Sequence, residues 1–454
     1  MRAFRKRREV TIDMIEGPLF PNVINFAIPL MVTNFLQVMF NAADTIVAGK
    51  YAGEAALAAV GATGSLCYLL TALFNGLAVG TNVVIASLYG SRKTSEIKKA
   101  VHTSIWLAIV SGLALTFFGL ATSKMLLEIM LTPEDIIDLA SLYMRIYFVG
   151  VLPSLIYNFG SAILRSKGDT KRPLYFMIVS GILNLVLNMV FVIVFDMSVA
   201  GVGIATVISE TLSAFLVWKA LSKSNDETAL NIREVSFNKD IALEIIRIGV
   251  PAGIQGMVFA LSNVVIQSSI NSFNSSSIVA GNSAGANVEG FVYIGMQAFS
   301  QATITFTSQN IGAGRKERIK DIMLVTLVLD SLSALLMGFL AWYFGPVLLS
   351  LYTDEQAVID IGMIRLFYIA LFLILNGILD VFVNSMRGMG YSTLPTILMI
   401  LGICGTRLLW IAKVFPLYQT LESIYICYPV SWTITLLVQL VLWIIYHQKK
   451  IKEA

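Results

Sequence analysis

Twenty-six residues, from Pro18 to Ala43, pass without a charged side chain, and Asp44 then closes the run. Within that run Asn34, Gln37, Asn41 and Asp44 fall at spacings of three, four and three, one face of a helix whose other faces are Leu, Val, Met and Phe. The run is long enough to cross a bilayer. An ionised Asp in hydrocarbon costs about 3 kcal/mol on insertion scales, so such a stripe normally faces protein or a water-filled cavity. The pattern therefore predicts a binding site inside a membrane.

Eleven more apolar runs follow. Helices are expected near 20–46, 56–84, 99–121, 136–158, 173–196, 199–221, 245–272, 279–308, 321–344, 358–384, 394–414 and 422–446, twelve spans in all. The second and eighth are rich in Gly, Ala, Ser and Thr. The basic residues then set the orientation. With a cytoplasmic N-terminus, 26 of the 32 Lys and Arg fall on the inside, among them Arg2, Arg5, Lys6, Arg7, Arg8, Arg92, Lys93, Arg165, Lys167, Arg315 and Lys316; the outside loops hold only Lys50, Lys124 and Lys413. Both termini are expected in the cytoplasm. The first run is too long and too polar-striped for a cleaved leader and is read as a retained span.

The sequence also repeats itself. At an offset of 222 residues Pro29 meets Pro251, Asn41 meets Asn263, Gly90 meets Gly312, Arg165 meets Arg387, Gly168 meets Gly390 and Pro173 meets Pro395. Each half then holds six spans, and an even number returns the chain to its starting side. The fold class expected is an all-α integral membrane protein of twelve transmembrane helices in two six-helix bundles related by a pseudo-twofold axis along the membrane normal. The division is 1–221 for the first lobe, 222–244 for a polar cytoplasmic linker and 245–454 for the second. Transporters with such repeats hold substrate between two bundles that rock against each other.

Composition agrees: 57% of residues are hydrophobic and 13% charged, against about a quarter charged in soluble proteins. Cys67, Cys404 and Cys427 lie in apolar runs without metal-ligand spacing and read as buried hydrophobes. No charged tail points to nucleic acid. With only His102 and His447, and no HExxH or Cys/His cluster, enzymatic chemistry finds little support. Gly312-Ala-Gly314-Arg315-Lys316 lacks a phosphate loop's spacing and reads as a helix cap before a basic cluster.

Several segments together resemble the multidrug and toxic-compound extrusion (MATE) transporters. They are Asp44-Thr45 late in the first span, Tyr89-Gly90-Ser91-Arg92-Lys93, Arg165 through Pro173, Leu183-Asn184 through Asn188, and Gly201 through Thr206. Gln309 through Gly314 and Arg387 through Tyr391 are second-half counterparts. The likeness covers residues 12–446. It implies a two-lobed exporter exchanging H+ or Na+ for organic, often cationic, compounds by alternating access. Carried across by position, the family's cation site falls on Asp44, Asn184, Asn188 and Thr206, with Asn41 of the stripe beside them. Many relatives have Asp where this chain has Asn188, so one carboxylate is expected here rather than two. Na+ needs several oxygens, whereas a proton needs one carboxylate, which tips the expectation to H+.

A second polar set occupies the seventh and eighth spans, with Gln255, Asn263, Gln267, Asn271 and Asn282, then Glu289, Tyr293, Gln297 and Gln301 on one helix face. Amides of this kind commonly serve as interhelical glue, at about 0.6 kcal/mol each. The substrate cavity is expected to be lined by Asn34, Gln37, Asn263, Gln267, Glu289, Tyr293 and Gln297, with Glu289 the second coupling or substrate-attracting carboxylate. Met, Phe and Tyr surface with few hydrogen bonds would favour promiscuity. Asp330 and Asp380 are expected to face water or an Arg near the cytoplasmic end; Glu210 is deeper and has no assigned role. Arg145, Arg365 and Arg407 are candidate partners for these acids. A lipid-linked oligosaccharide flippase is the alternative, ranked lower because the mid-span charges read as mostly acidic; an ion channel is the alternative from another class. The expected setting is the bacterial plasma membrane, as a monomer among lipids, with small organic substrates, no nucleic acid and no cofactor beyond the coupling ion.

Overall fold

A computed structural model describes residues 12–452. Arg2, Arg5, Lys6, Arg7 and Arg8, used above to orient the chain, lie outside the described residues. Each expected span is helical. The order is α1 (Leu19–Tyr51), α2 (Glu54–Gly90), α3 (Thr94–Ile129), α4 (Glu134–Ser166), α5 (Lys171–Met189), α6 (Ser198–Ser222), α7 (Lys239–Asn271), α8 (Ser276–Gly312), α9 (Arg318–Tyr343), a short α10 (Gly345–Ser350), α11 (Gln356–Arg365), α12 (Leu373–Gly388), α13 (Thr393–Met399), α14 (Thr406–Lys413) and α15 (Leu421–Lys452). Among the described residues there is no strand. Wide π-helical turns extend α5 over Val190–Val194, lead from α11 towards α12 over Leu366–Ala370, and join α13 to α14 over Ile400–Gly405. Such turns insert one residue per turn without ending the helix.

Eleven of these helical segments are long and apolar enough to cross a membrane, among the described residues. The eighth expected span, α8, has the length, at 37 residues, but its Ser, Asn, Gln and Thr dilute its hydropathy. Many apolar side chains point outward, such as Phe117, Leu332, Leu336, Phe339, Leu437 and Val441, while Asn310, Thr307 and Ser308 are fully buried. That inversion suits a chain whose solvent is lipid.

The described residues form two compact units: 12–67, Thr81–Ile245 and Gly312–Gly314 in one, and Tyr68–Gly80, Ile246–Ile311 and 315–452 in the other. In the first, α3 packs on α4, α4 on α6, α6 on α5 and α5 on α1. In the second, α12 lies between α9 and α15, around a core that includes Leu366, Ile369, Leu379, Met399, Tyr425 and Trp432. The turn glycines predicted by the repeat, Gly168 and Gly390, both adopt left-handed backbone, with φ of +92° and +90°. A side chain there would be strained, which is why glycine stands at both.

Helix α7 begins at Lys239, so the segment joining α6 to α7 is shorter than residues 222–244. It is held against the first unit. Lys167, just past α4 and 1% exposed, donates to Ser224 Oγ at 3.1 Å, Asp226 Oδ2 at 2.7 Å and Thr228 Oγ1 at 2.8 Å, one acceptor for each ammonium hydrogen. Burial alone would raise the Asp226 carboxyl, but hydrogen bonds from Lys167, Thr228 and Ser224 win and hold it at about 2. Lys167 itself is pulled below its ordinary value, because its near-complete burial outweighs the attraction of Asp226. Farther on, His102 Nε2 accepts the Asn231 N–H at 3.2 Å, and its Nδ1 sits 2.7 Å from the Lys98 carbonyl. Thr103 accepts the Asn238 N–H at 3.2 Å.

Candidate functional site

In the first unit α1, α5 and α6 bring Asp44, Asn184, Asn188 and Thr206 together. Asn184 and Asn188 lie one helical turn apart on α5, facing α1. Asn188 donates through Nδ2 to Asp44 Oδ1 and shares that group with Asn184 Oδ1 at 3.1 Å. Thr206 lies 3.4 Å from Asp44 Oδ2 and 3.0 Å from the Val202 carbonyl, and the Asn184 amide reaches Thr206 Oγ1 at 3.4 Å. Asp44 and Asn184 are 9% and 6% exposed, and Asn188 is fully buried. One oxygen is left over: Asn188 Oδ1 is buried without a hydrogen-bond partner.

Asp44, Asn184 and Thr206 border a cavity of about 70 Å3, whose wall also includes Gln37, Asn41 and Glu210; Asn188 stands behind it. It has room for a few waters. Organic ligands occupy pockets of about 300–1,000 Å3, so its size fits an ion and its water rather than a drug. The polar stripe of α1 does converge here, through Gln37, Asn41 and Asp44, but Asn34 is not in this wall. Phe40 packs on Gly181 so tightly that a Cβ at that glycine would overlap the ring. The sequence reading counted one carboxylate; the cavity carries two. Glu210, hydrogen-bonded to Ser154, lines the same wall from α6.

The second unit holds a larger cavity of about 510 Å3, bordered by α7, α8, α15 and the broken helices. Of the residues read above as lining a substrate cavity, Asn263, Gln267, Glu289 and Tyr293 border this one; Gln297 does not, and instead hydrogen-bonds Tyr293. Tyr293 also reaches Asp380 Oδ2 at 3.5 Å, and Asn376 reaches it at 3.3 Å. Glu289 is not a free carboxylate. Arg365 grips its Oε2 with Nε at 3.0 Å and Nη2 at 2.6 Å, and donates through Nη1 to Asn282 Oδ1 at 2.7 Å. Asn282 also accepts from Tyr425 and donates to Gln267. Arg407 lies over the ring of Tyr428, 4.0 Å from its centroid.

Three readings are thereby corrected. The mid-span charge is not mostly acidic around this cavity, because two guanidiniums line it with one carboxylate. Its polar side chains are tied into a hydrogen-bonded network, rather than sparse. Asp330 does not face water or an Arg: it is fully buried and neither oxygen has a hydrogen-bond partner. The Arg365–Glu289 pair spans 76 residues of sequence, a separation no local pattern encodes.

The offset of 222 connects the two cavities. It carries Gln37, Asn41, Asp44, Gly181, Thr206 and Glu210 of the first wall onto Phe259, Asn263, Ile266, Ile403, Tyr428 and Trp432, all in the second wall. One ancestral position thus appears twice with different chemistry. Among the described residues no group of three or more His, Cys, Asp or Glu is arranged to hold a metal ion.

Comparison with known proteins agrees with the repeat. The MatE family model matches twice, over residues 29–190 and 251–410. The chain is 28% identical over 425 residues to the probable multidrug resistance protein YoeA of Bacillus subtilis, covering 91% of this chain and 90% of that protein. It is 22% identical to the multidrug export protein MepA of Staphylococcus aureus, over 85% of each. A crystal structure of MATE in complex with MaL6 superposes with a TM-score of 0.91 at 22% identity, covering 97% of this chain and 98% of that one. With the family's domain matched in both halves and its fold reproduced along the chain, this protein belongs to the MatE family of multidrug and toxic-compound extrusion transporters.

Proposed function

We propose that this chain exports organic compounds in exchange for an inward-moving cation, with Asp44 as the group that takes up and releases the cation. The observation that carries the reading is the small oxygen-lined cavity around Asp44, too small for a drug and bordered by Asn184 and Thr206. H+ is placed first and Na+ second. The carboxylate accepts hydrogen bonds at both oxygens, from Asn188 and from Thr206. A proton on Asp44 turns one acceptor into a donor, which then needs an acceptor of its own. The unpartnered Asn188 Oδ1 is close at hand once its amide turns over, so loading re-pairs the contact between α1 and α5. Na+ would use the same oxygens of Asp44, Asn184, Asn188 and Thr206, the ligand type a hard cation takes.

That re-pairing couples ion to conformation only as far as the ion binds the two states unequally. Export then follows from alternating access of the substrate site to the two faces of the membrane. The names of the relatives, a probable multidrug resistance protein and a multidrug export protein, support organic compounds as cargo. The setting proposed is a bacterial plasma membrane with both termini cytoplasmic, as a monomer among lipids.

The test is efflux of a cationic dye, ethidium, and of an anionic one, 8-anilino-1-naphthalenesulfonate, from proteoliposomes under an imposed pH gradient and, separately, an imposed Na+ gradient, with wild type and Asp44→Asn; export of either dye reports transport. The expected result is export driven by the pH gradient and its loss, by about 10-fold or more, in Asp44→Asn that elutes as a monodisperse protein. Gradient-driven export at the wild-type rate in Asp44→Asn would remove Asp44 from the mechanism.

A further inference from the structure

The second-unit cavity has the volume of an organic-ligand pocket, and its charge is opposite in sign to that of its repeat counterpart. Where the first wall has the carboxyls of Asp44 and Glu210, the second has Ile266 and Trp432. Where the first half has Leu185, the second has Arg407. Glu289 is consumed by Arg365, at 3.0 and 2.6 Å, which leaves Arg407 as the uncompensated charge of the cavity.

Arg407 is 7% exposed, and among the described residues no carboxylate lies within ion-pair distance of it. Its Nε donates to Ser431 Oγ at 3.2 Å, and its flat face is taken by Tyr428, with Trp432 at 5.8 Å. A stacked guanidinium keeps its edge for an acceptor that offers two oxygens, and that fork takes a carboxylate or two oxygens of a tetrahedral oxyanion such as a sulfonate. An arginine buried in a span at such cost, without an acid of its own, marks a site that meets its counter-charge on a ligand. The neighbouring rings supply an apolar, aromatic surface for the ligand's body.

We infer that the second-unit cavity binds amphipathic aromatic anions, with Arg407 receiving the anionic group and Tyr428 and Trp432 flanking it. The inference rests on the transporter reading above and specifies a substrate class for it.

The test uses the full-length protein in lipid nanodiscs and three ligands sharing one ring system: 2-naphthalenesulfonate, its neutral sulfonamide and the matching naphthyl trimethylammonium. Binding is read by equilibrium dialysis with no gradient present, so it succeeds or fails independently of whether Asp44 couples export. The sulfonate is expected to bind about 10-fold more tightly than the sulfonamide, as one charge-assisted hydrogen bond implies. Arg407→Gln should erase that preference and Arg407→Lys keep part of it. Glu289→Gln, which frees Arg365, should tighten the sulfonate several-fold, and it decides the matter if Arg407→Gln does not fold. Equal affinity for sulfonate and sulfonamide, a sulfonate preference that survives Arg407→Gln, or weaker sulfonate binding in Glu289→Gln would each overturn the assignment.

Discussion

Breaking the Lys167–Asp226 pair from its two ends should give unequal results, and the inequality follows from burial. Lys167 is 1% exposed and the Asp226 side chain 33%. Asp226→Asn leaves an ammonium in the interior with only Ser224, Thr228 and a neutral amide around it. Removing one partner of a fully buried pair costs about 3–5 kcal/mol, and the partial exposure of Asp226 lowers that to about 2–3. The carboxyl's own position agrees. Held at about 2 against roughly 3.9 for a free aspartate, it corresponds to a stabilisation on the order of 2 kcal/mol after allowance for solvent screening. Lys167→Met instead leaves a partly solvated carboxylate that still accepts from Ser224 and Thr228, at a cost of about 1 kcal/mol. The assay is amide hydrogen exchange at Leu230, whose N–H bonds the Leu221 carbonyl at 3.2 Å and so reports the join of the linker to α6. Exchange should rise about 30- to 150-fold in Asp226→Asn and about 5-fold in Lys167→Met. Equal effects, or a larger one in Lys167→Met, would refute the reasoning.

Acid should loosen the same joint in wild type. Because the folded Asp226 carboxyl sits at about 2 and a free one near ~3.9, its contribution is complete above about pH 4 and disappears as pH falls towards 2; Leu230 exchange, corrected for the intrinsic pH dependence, should show the change in that window and none between pH 5 and 7. Gly181→Ala places a methyl in the Phe40 ring, so it should cost about 1–3 kcal/mol and reduce gradient-driven export, read by thermal melting and by proteoliposome efflux; wild-type values for both would show that the ring has room to move. Asp330→Asn changes two buried carboxyl oxygens that no donor reaches, so the melting temperature should hold or rise; a drop of several degrees would reveal a partner. Cys67, Cys404 and Cys427 are all buried, so a membrane-impermeant maleimide should label none of them within minutes in folded protein, and rapid labelling of any one would contradict its position.

Helix count was readable because a bilayer imposes a length on every apolar run, and the repeat checked each half against the other. The start of α7 at Lys239 was not, since its first turns carry Lys239, Asp240 and Glu244 and look like linker until they are seen to be helical. Around Asp44 the four family positions do meet, and the spacing of the α1 stripe already aimed three of its members at one cavity. Glu210 was missed as part of that wall although it lies one turn after Thr206 on α6, so the helix spacing already aimed it at the position the resemblance gave to Thr206. Arg407 was named only as a candidate partner for an acid. A signal was present: the 222-residue register sets an arginine opposite Leu185, and applying it position by position would have exposed the exchange of two carboxyls for the apolar side chains of Ile266 and Trp432.

The composition of α8 bears on how the chain is made as well as how it works. Its second half buries Ser300, Thr303, Thr305, Thr307, Ser308, Gln309 and Asn310, polar groups that find their places only inside the finished second unit. A segment too poor in apolar residues partitions badly into lipid by itself. During synthesis α8 should therefore linger at the insertion machinery until α7 and the later helices arrive to shelter it, and truncating the chain before α12 should leave it outside the bilayer.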